Sequence, residues 1–178
     1  TGRVSTTDLE IATSTFDEVR NVILTDVDGD TTRADLRVPT LEEYISICKR
    51  YGKKAILELK CAFTKEQISE IISIIEEKEY LDQVIFISFV REALVLVREL
   101  LPTQHIQYLT GNFNEDVVEF MKKHKFDYDA HHSVITEESM KILKDAGIAV
   151  NVWTVDSLER ANELIDLGVE FITTNILE

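Results

Sequence analysis

The sequence has 178 residues, 44% of them hydrophobic and 29% charged, the composition of one soluble globular domain able to bury a core. Its 33 acidic residues against 19 basic ones leave a formal net charge of -14. That field repels phosphate backbones and anionic membrane surfaces, so nucleic acid is excluded as an expected partner, and an anionic substrate would need a locally basic or metal-loaded pocket.

Residues 1–38 carry little periodicity. Within them Thr25-Asp-Val-Asp-Gly-Asp-Thr-Thr alternates Asp26, Asp28 and Asp30 like the start of a calcium loop. The match then breaks, because Gly29 comes too early and the twelfth position is Arg37 rather than Glu, so an acidic solvated loop is expected. From Pro39 the pattern becomes regular. Thr40 is placed to cap a helix with Glu43 at the capping-box position and Leu41, Tyr44, Ile45 and Cys48 on one stripe, ending near Gly52.

Short apolar runs and amphipathic stretches then alternate. Strands are expected at 55–60, 84–89, 105–109, 126–130, 148–154 and 171–174, with helices at about 65–78, 91–100, 114–124, 136–146 and 157–167. Strand starts spaced by 21 to 29 residues are the signature of repeated right-handed βα units and a parallel sheet. Even, short units favour a barrel over a doubly wound sheet, and neither a Rossmann nor a P-loop glycine pattern occurs. Gly147 and Gly168 each follow a helix where a left-handed residue is needed to enter the next strand. A complete (β/α)8 barrel usually takes about 250 residues, so about six of eight strands are expected here.

Cys48 and Cys61 form neither a Cys-x-x-Cys pair nor a framework, and both are read as reduced packing residues. The sequence lacks a run of 18 apolar residues and a leader pattern, so no transmembrane segment is expected. The start at Thr1 suggests a processed product or a piece of a longer chain. The compartment is not readable, with a soluble, cytoplasmic setting favoured.

In parallel βα architectures the ligand site lies at the C-terminal ends of the strands. In Ala55-Ile-Leu-Glu-Leu-Lys60, alternation puts Ile56, Glu58 and Lys60 on one face and Ala55, Leu57 and Leu59 on the other, which must pack against the helices. Glu58 and Lys60 then point into the barrel mouth. Two readings stand: an internal ion pair, or a hard-cation ligand beside a phosphate-binding ammonium. In Val150-Asn-Val-Trp-Thr-Val155, Asn151, Trp153 and Val155 share a face. Trp153, the only tryptophan, either fills the barrel or walls a substrate's carbon skeleton.

Pro39-Thr40-Leu41-Glu42-Glu43, the Ile56–Lys60 strand, Ile87-Ser88-Phe89, Ala146-Gly147-Ile148 running into Val150–Val155, and Ile172-Thr173-Thr174-Asn175 follow one another in a familiar order. Over residues 38–178 the sequence resembles the glycerophosphodiester phosphodiesterases. The resemblance implies an α/β fold, a TIM (β/α)8-type barrel. It implies hydrolysis of glycerophosphodiesters to an alcohol and glycerol phosphate with a divalent cation, Mg²⁺ or Ca²⁺. Glu58 would be a metal ligand, and Lys60 and Trp153 would bind substrate. Catalytic residues would be none in this chain, because the family's two histidines and two further metal carboxylates belong to a segment preceding residue 1; Thr1-Gly-Arg-Val-Ser5 resembles the stretch just after it.

Residues 1–38 are then an acidic loop or insertion and 39–178 the C-terminal part of the barrel. His131 and His132, at a strand end, are read as solvent-facing or packing residues. The expected partner is a small-molecule glycerophosphodiester, with self-association through open sheet edges. The alternative function is a non-catalytic barrel remnant serving as a binding or interaction module.

Overall fold

The computed structural model describes residues 2, 4–26, 28–33 and 35–177; Thr1 and Arg3 of the opening stretch and Val27 of the acidic loop lie outside these. The chain divides into two compact units, Thr1–Tyr51 and Gly52–Glu178.

The first unit holds a 3-10 turn at Ile11–Thr13 and two helices, α1 (Phe16–Arg20) and α2 (Leu41–Arg50). Periodicity gives no sign of α1, which is too short to show a stripe. Its capping box is nonetheless written in the sequence, with the Glu18 carboxylate accepting from the Thr15 backbone N–H at 2.7 Å and Thr15 Oγ1 accepting from Glu18 N at 3.3 Å. In α2 the expected Thr40–Glu43 box forms, and Glu43 also binds the Arg20 guanidinium at 2.8 Å. The acidic loop satisfies its own carboxylates: Asp28 accepts from Asp30 N, Asp30 from Thr32 N and Oγ1, and Asp26 pairs with Arg33 at 2.6 Å.

The second unit is a half-barrel of six parallel strands in sequential order. They are β1 (Ala55–Glu58), β2 (Val84–Ser88), β3 (Ile106–Thr110), β4 (Asp127–His131), β5 (Val150–Trp153) and β6 (Phe171–Ile172). Between them run α3 (Lys65–Glu77), α4 (Arg91–Leu100), α5 (Glu115–His124), α6 (Glu137–Asp145) and α7 (Leu158–Leu167). Alternation sorts each strand into two faces. Ala55, Leu59, Val84, Phe86, Ile106, Tyr128, Val150 and Val152 face the helices and are at most 2% exposed, each aliphatic burial contributing about 1.5–3 kcal/mol. On the inner face Ile85, Ile87 and Leu109 cluster under Trp153.

Gly147 (φ +68°) and Gly168 (φ +88°) take the expected left-handed turns. After α5 the same turn is made by Lys125 (φ +56°), where the sequence offers no glycine. The Arg98 guanidinium stitches that corner, donating to the carbonyls of His124, Lys125, Pro102 and Gln104 at 2.8 to 3.1 Å.

Cys48 is buried, but Cys61 is exposed, because it follows β1 into the loop at the barrel mouth instead of packing. Among the described residues β1 and β6 each have one strand neighbour, and the ammonium of Lys54 lies 5.6 Å from the Phe171 ring near their N-terminal ends. Among the described residues no helix is long and apolar enough to cross a membrane.

Candidate active site

Glu58 is the last residue of β1, paired in register with Ile87 of β2, so its carboxylate emerges on the inner face at the C-terminal end of the strand. Two residues on, Lys60 Nζ lies 2.9 Å from Glu58 Oε2. The lysine side chain is 79% exposed and the glutamate 25%. This is therefore not a sealed internal ion pair but a solvent-screened one, worth at most about 1 kcal/mol and easily exchanged for a ligand. The buried Ser88 hydroxyl holds the strand ends in place, donating to Leu59 O at 2.6 Å and accepting from Val90 N at 2.9 Å.

Trp153 ends β5 on the same face. It packs on the inner cluster, and its indole Nε1 donates to Asp129 O at 3.2 Å. Phe89, 53% exposed just after β2, and His131 both meet it edge-on, with centroids at 5.8 and 5.0 Å. The indole therefore fills the barrel and also forms part of an aromatic wall at its mouth.

Sequence reasoning misses Asp129. It lies in register with Leu109 and Asn151, 2% exposed, with Oδ1 accepting from Asn151 Nδ2 at 2.8 Å. Burial, and secondarily the Glu58 charge, push its carboxyl up to about 7. Among the described residues, the amide oxygens of Gln107 and Asn151, buried on the same face, have no hydrogen-bond partner. The available signal was parity: Asp127, Asp129 and His131 share a face, while Tyr128 and Ala130 turn to the helices.

His131 and His132 sit half-buried at the rim with rings stacked at 4.7 Å. Arg160 of α7 donates to His132 O at 2.7 Å and Ile135 O at 2.9 Å, fixing the loop that carries them. Burial, then His131, then Arg160 hold the His132 ring below the usual histidine range. A groove of about 570 Å³ is lined by Phe113, Val118 and Ile142 with Glu115, Glu119 and Asp145, and by none of Glu58, Lys60, Asp129, His131 or Trp153.

The model of the Glycerophosphoryl diester phosphodiesterase family matches residues 1–178. The chain belongs to this family. Glycerophosphodiester phosphodiesterase of Bacillus subtilis (strain 168) is 27% identical over 154 residues, which cover 79% of this chain and 52% of that protein. The chain thus spans about half the length of the curated relatives it matches. The crystal structure of a glycerophosphodiester phosphodiesterase from Parabacteroides distasonis superposes with a TM-score of 0.74 at 29% identity, covering 92% of this chain and 68% of that one. An Oleispira antarctica phosphodiesterase in complex with the product sn-glycerol-3-phosphate has a TM-score of 0.77 at 21% identity, covering 98% and 72% of the two chains, and at that identity shows the fold alone.

In this glycerophosphoryl diester phosphodiesterase family member, Glu58 and Trp153 end β1 and β5 on the inner face, and Lys60, two residues past β1, meets the Glu58 carboxylate from solvent. Glu58 offers a hard oxygen ligand. Among the described residues no three His, Cys, Asp or Glu side chains are grouped to hold a metal ion, so this donor set does not by itself make a metal site.

Proposed function

We propose that the protein to which these residues belong hydrolyses glycerophosphodiesters: water adds at phosphorus, the P–O bond to the alcohol breaks, and glycerol phosphate is released. The observation that carries this reading is the Glu58–Lys60 pair, a carboxylate and a solvent-exposed ammonium 2.9 Å apart just at the C-terminal end of β1. Lys60 places a positive charge where a phosphoryl oxygen can replace the glutamate as its partner. Glu58 is the oxygen ligand this chain would contribute to a divalent cation, Mg²⁺ or Ca²⁺, whose chemistry is to polarise a phosphoryl oxygen. Trp153 and Phe89 line the mouth with ring faces against which a three-carbon skeleton can lie. Family membership supports the reaction class.

The test is release of glycerol phosphate from glycerophosphocholine by the complete phosphodiesterase, with and without Mg²⁺ or Ca²⁺. Lys60→Ala should lower kcat/KM by about 100-fold or more, the scale for losing one charged contact to the reacting group. Glu58→Gln should raise the metal concentration needed for half-maximal rate. No metal-dependent release from the unaltered protein would sink the reading.

A further inference from the structure

We propose that His131 is a substrate-binding residue, a neutral imidazole that presents its Nε2–H as a hydrogen-bond donor to an anionic phosphoryl oxygen. The inference rests on the phosphodiester reading above, and it adds a donor that neither composition nor family motif supplies.

The tautomer follows from what surrounds Nδ1. The backbone N–H of Ser133 points at it at 3.3 Å, and the Ser133 hydroxyl lies 2.7 Å from it. A backbone N–H can only donate, so Nδ1 must be the acceptor and the ring proton resides on Nε2. The same bond caps the 3-10 turn His132–Val134, so moving the proton to Nδ1 would set N–H against N–H and uncap the turn. The ring is further held by stacking on His132 and by edge contact with Trp153, and the following loop is clamped by Arg160.

Position makes this donor useful. His131 is the last residue of β4, in register with Trp153 and on the same inner face as Asp129. Among the described residues Nε2 makes no hydrogen bond or ion pair, whereas Nδ1 is engaged twice. A half-buried N–H at the C-terminal end of a barrel strand, in a chain of net charge -14, gives an anion a contact that the surrounding field does not.

Long-range ¹H–¹⁵N imidazole spectra of the 178-residue chain read the tautomer directly. Titrations with glycerol 3-phosphate, inorganic phosphate and glycerol then test the donor, with fluorescence of Trp153, the only tryptophan, reporting binding and intact packing. The expected result is an Nε2–H tautomer whose resonance moves with both phosphates and not with glycerol. His131→Asn, which keeps only the Nδ1 position, should weaken glycerol 3-phosphate binding about tenfold, the scale of one hydrogen bond to a charged group, and His131→Gln, with an amide near Nε2, should restore most of it. An Nδ1–H tautomer, or equal affinity in His131→Asn, overturns the proposal. Movement of the Lys60 Nζ signal without His131 rejects the donor and keeps the phosphodiester reading. Silence at both residues overturns the donor, and the phosphodiester reading then stands or falls on glycerol phosphate release by the complete protein.

Discussion

Replacing Asp129 by Asn tests the electrostatics of the barrel interior. Asp129 is 2% exposed, and its carboxyl accepts a hydrogen bond from Asn151 Nδ2 at 2.8 Å. Burial first, and the Glu58 charge second, push its carboxyl up to about 7. In the unfolded chain an Asp titrates near ~3.9. Between those values the folded state holds a proton that the unfolded state has released, so unfolding free energy falls as pH rises through this window. At ~1.4 kcal/mol per pH unit over about three units, ionised Asp129 costs roughly 4 kcal/mol above pH ~7 relative to pH ~4, a large part of a typical stability of ~5–15 kcal/mol. Asn keeps the volume and the acceptor for Asn151 without a titratable proton. Urea unfolding of both proteins at pH steps from about 4 to about 8.5 should show D129N matching the parent at the acid end, gaining steadily to pH ~7 and then holding a constant advantage. A difference that is flat with pH would refute the burial argument. An advantage largest at acid pH would show that the carboxylate is held ionised by a partner.

Three further changes probe the frame around the site, each read by urea midpoint. Gly168→Ala should cost about 1–2 kcal/mol, because φ is +88° there and the added Cβ would meet Lys144 Nζ at 2.9 Å, the group that donates to Leu167 O. Lys125→Gly should stabilise by about 0.5–1 kcal/mol by relieving a left-handed side chain, and a loss would mean that the lysine stem makes compensating contacts. Arg98→Ala should cost about 3 kcal/mol by stripping several carbonyls of one planar donor, with Arg98→Lys recovering little because an ammonium cannot reproduce the fork. Equal stability of Arg98→Lys and the parent would refute that geometry.

Much of the frame is local information. The Thr40–Glu43 box, the helix at Arg91–Leu100 and the left-handed glycines at 147 and 168 were all legible, because caps and turns depend on a few adjacent residues. Elements whose signal is too short or chemically atypical were not: α1 spans five residues, and Lys125 stands where a glycine is usual. Within the site, parity alone put Glu58 and Lys60 on one face of their strand, since alternation in a strand is a backbone property.

The sequence by itself therefore determined the repeated βα order, the faces of the strands at 55–60 and 150–155, and the family, all of which follow from periodicity and adjacent motifs. Only the tertiary structure decided which inner-face residues meet. The sheet register places Asp129 against Asn151, and burial turns an ordinary-looking carboxyl in a polar strand into an acid shifted to about 7. The same structure leaves Lys60 in solvent beside Glu58 and sets Ser133 against the Nδ1 of His131. Those properties depend on distance and desolvation between segments far apart in the chain, quantities that spacing along a sequence does not contain.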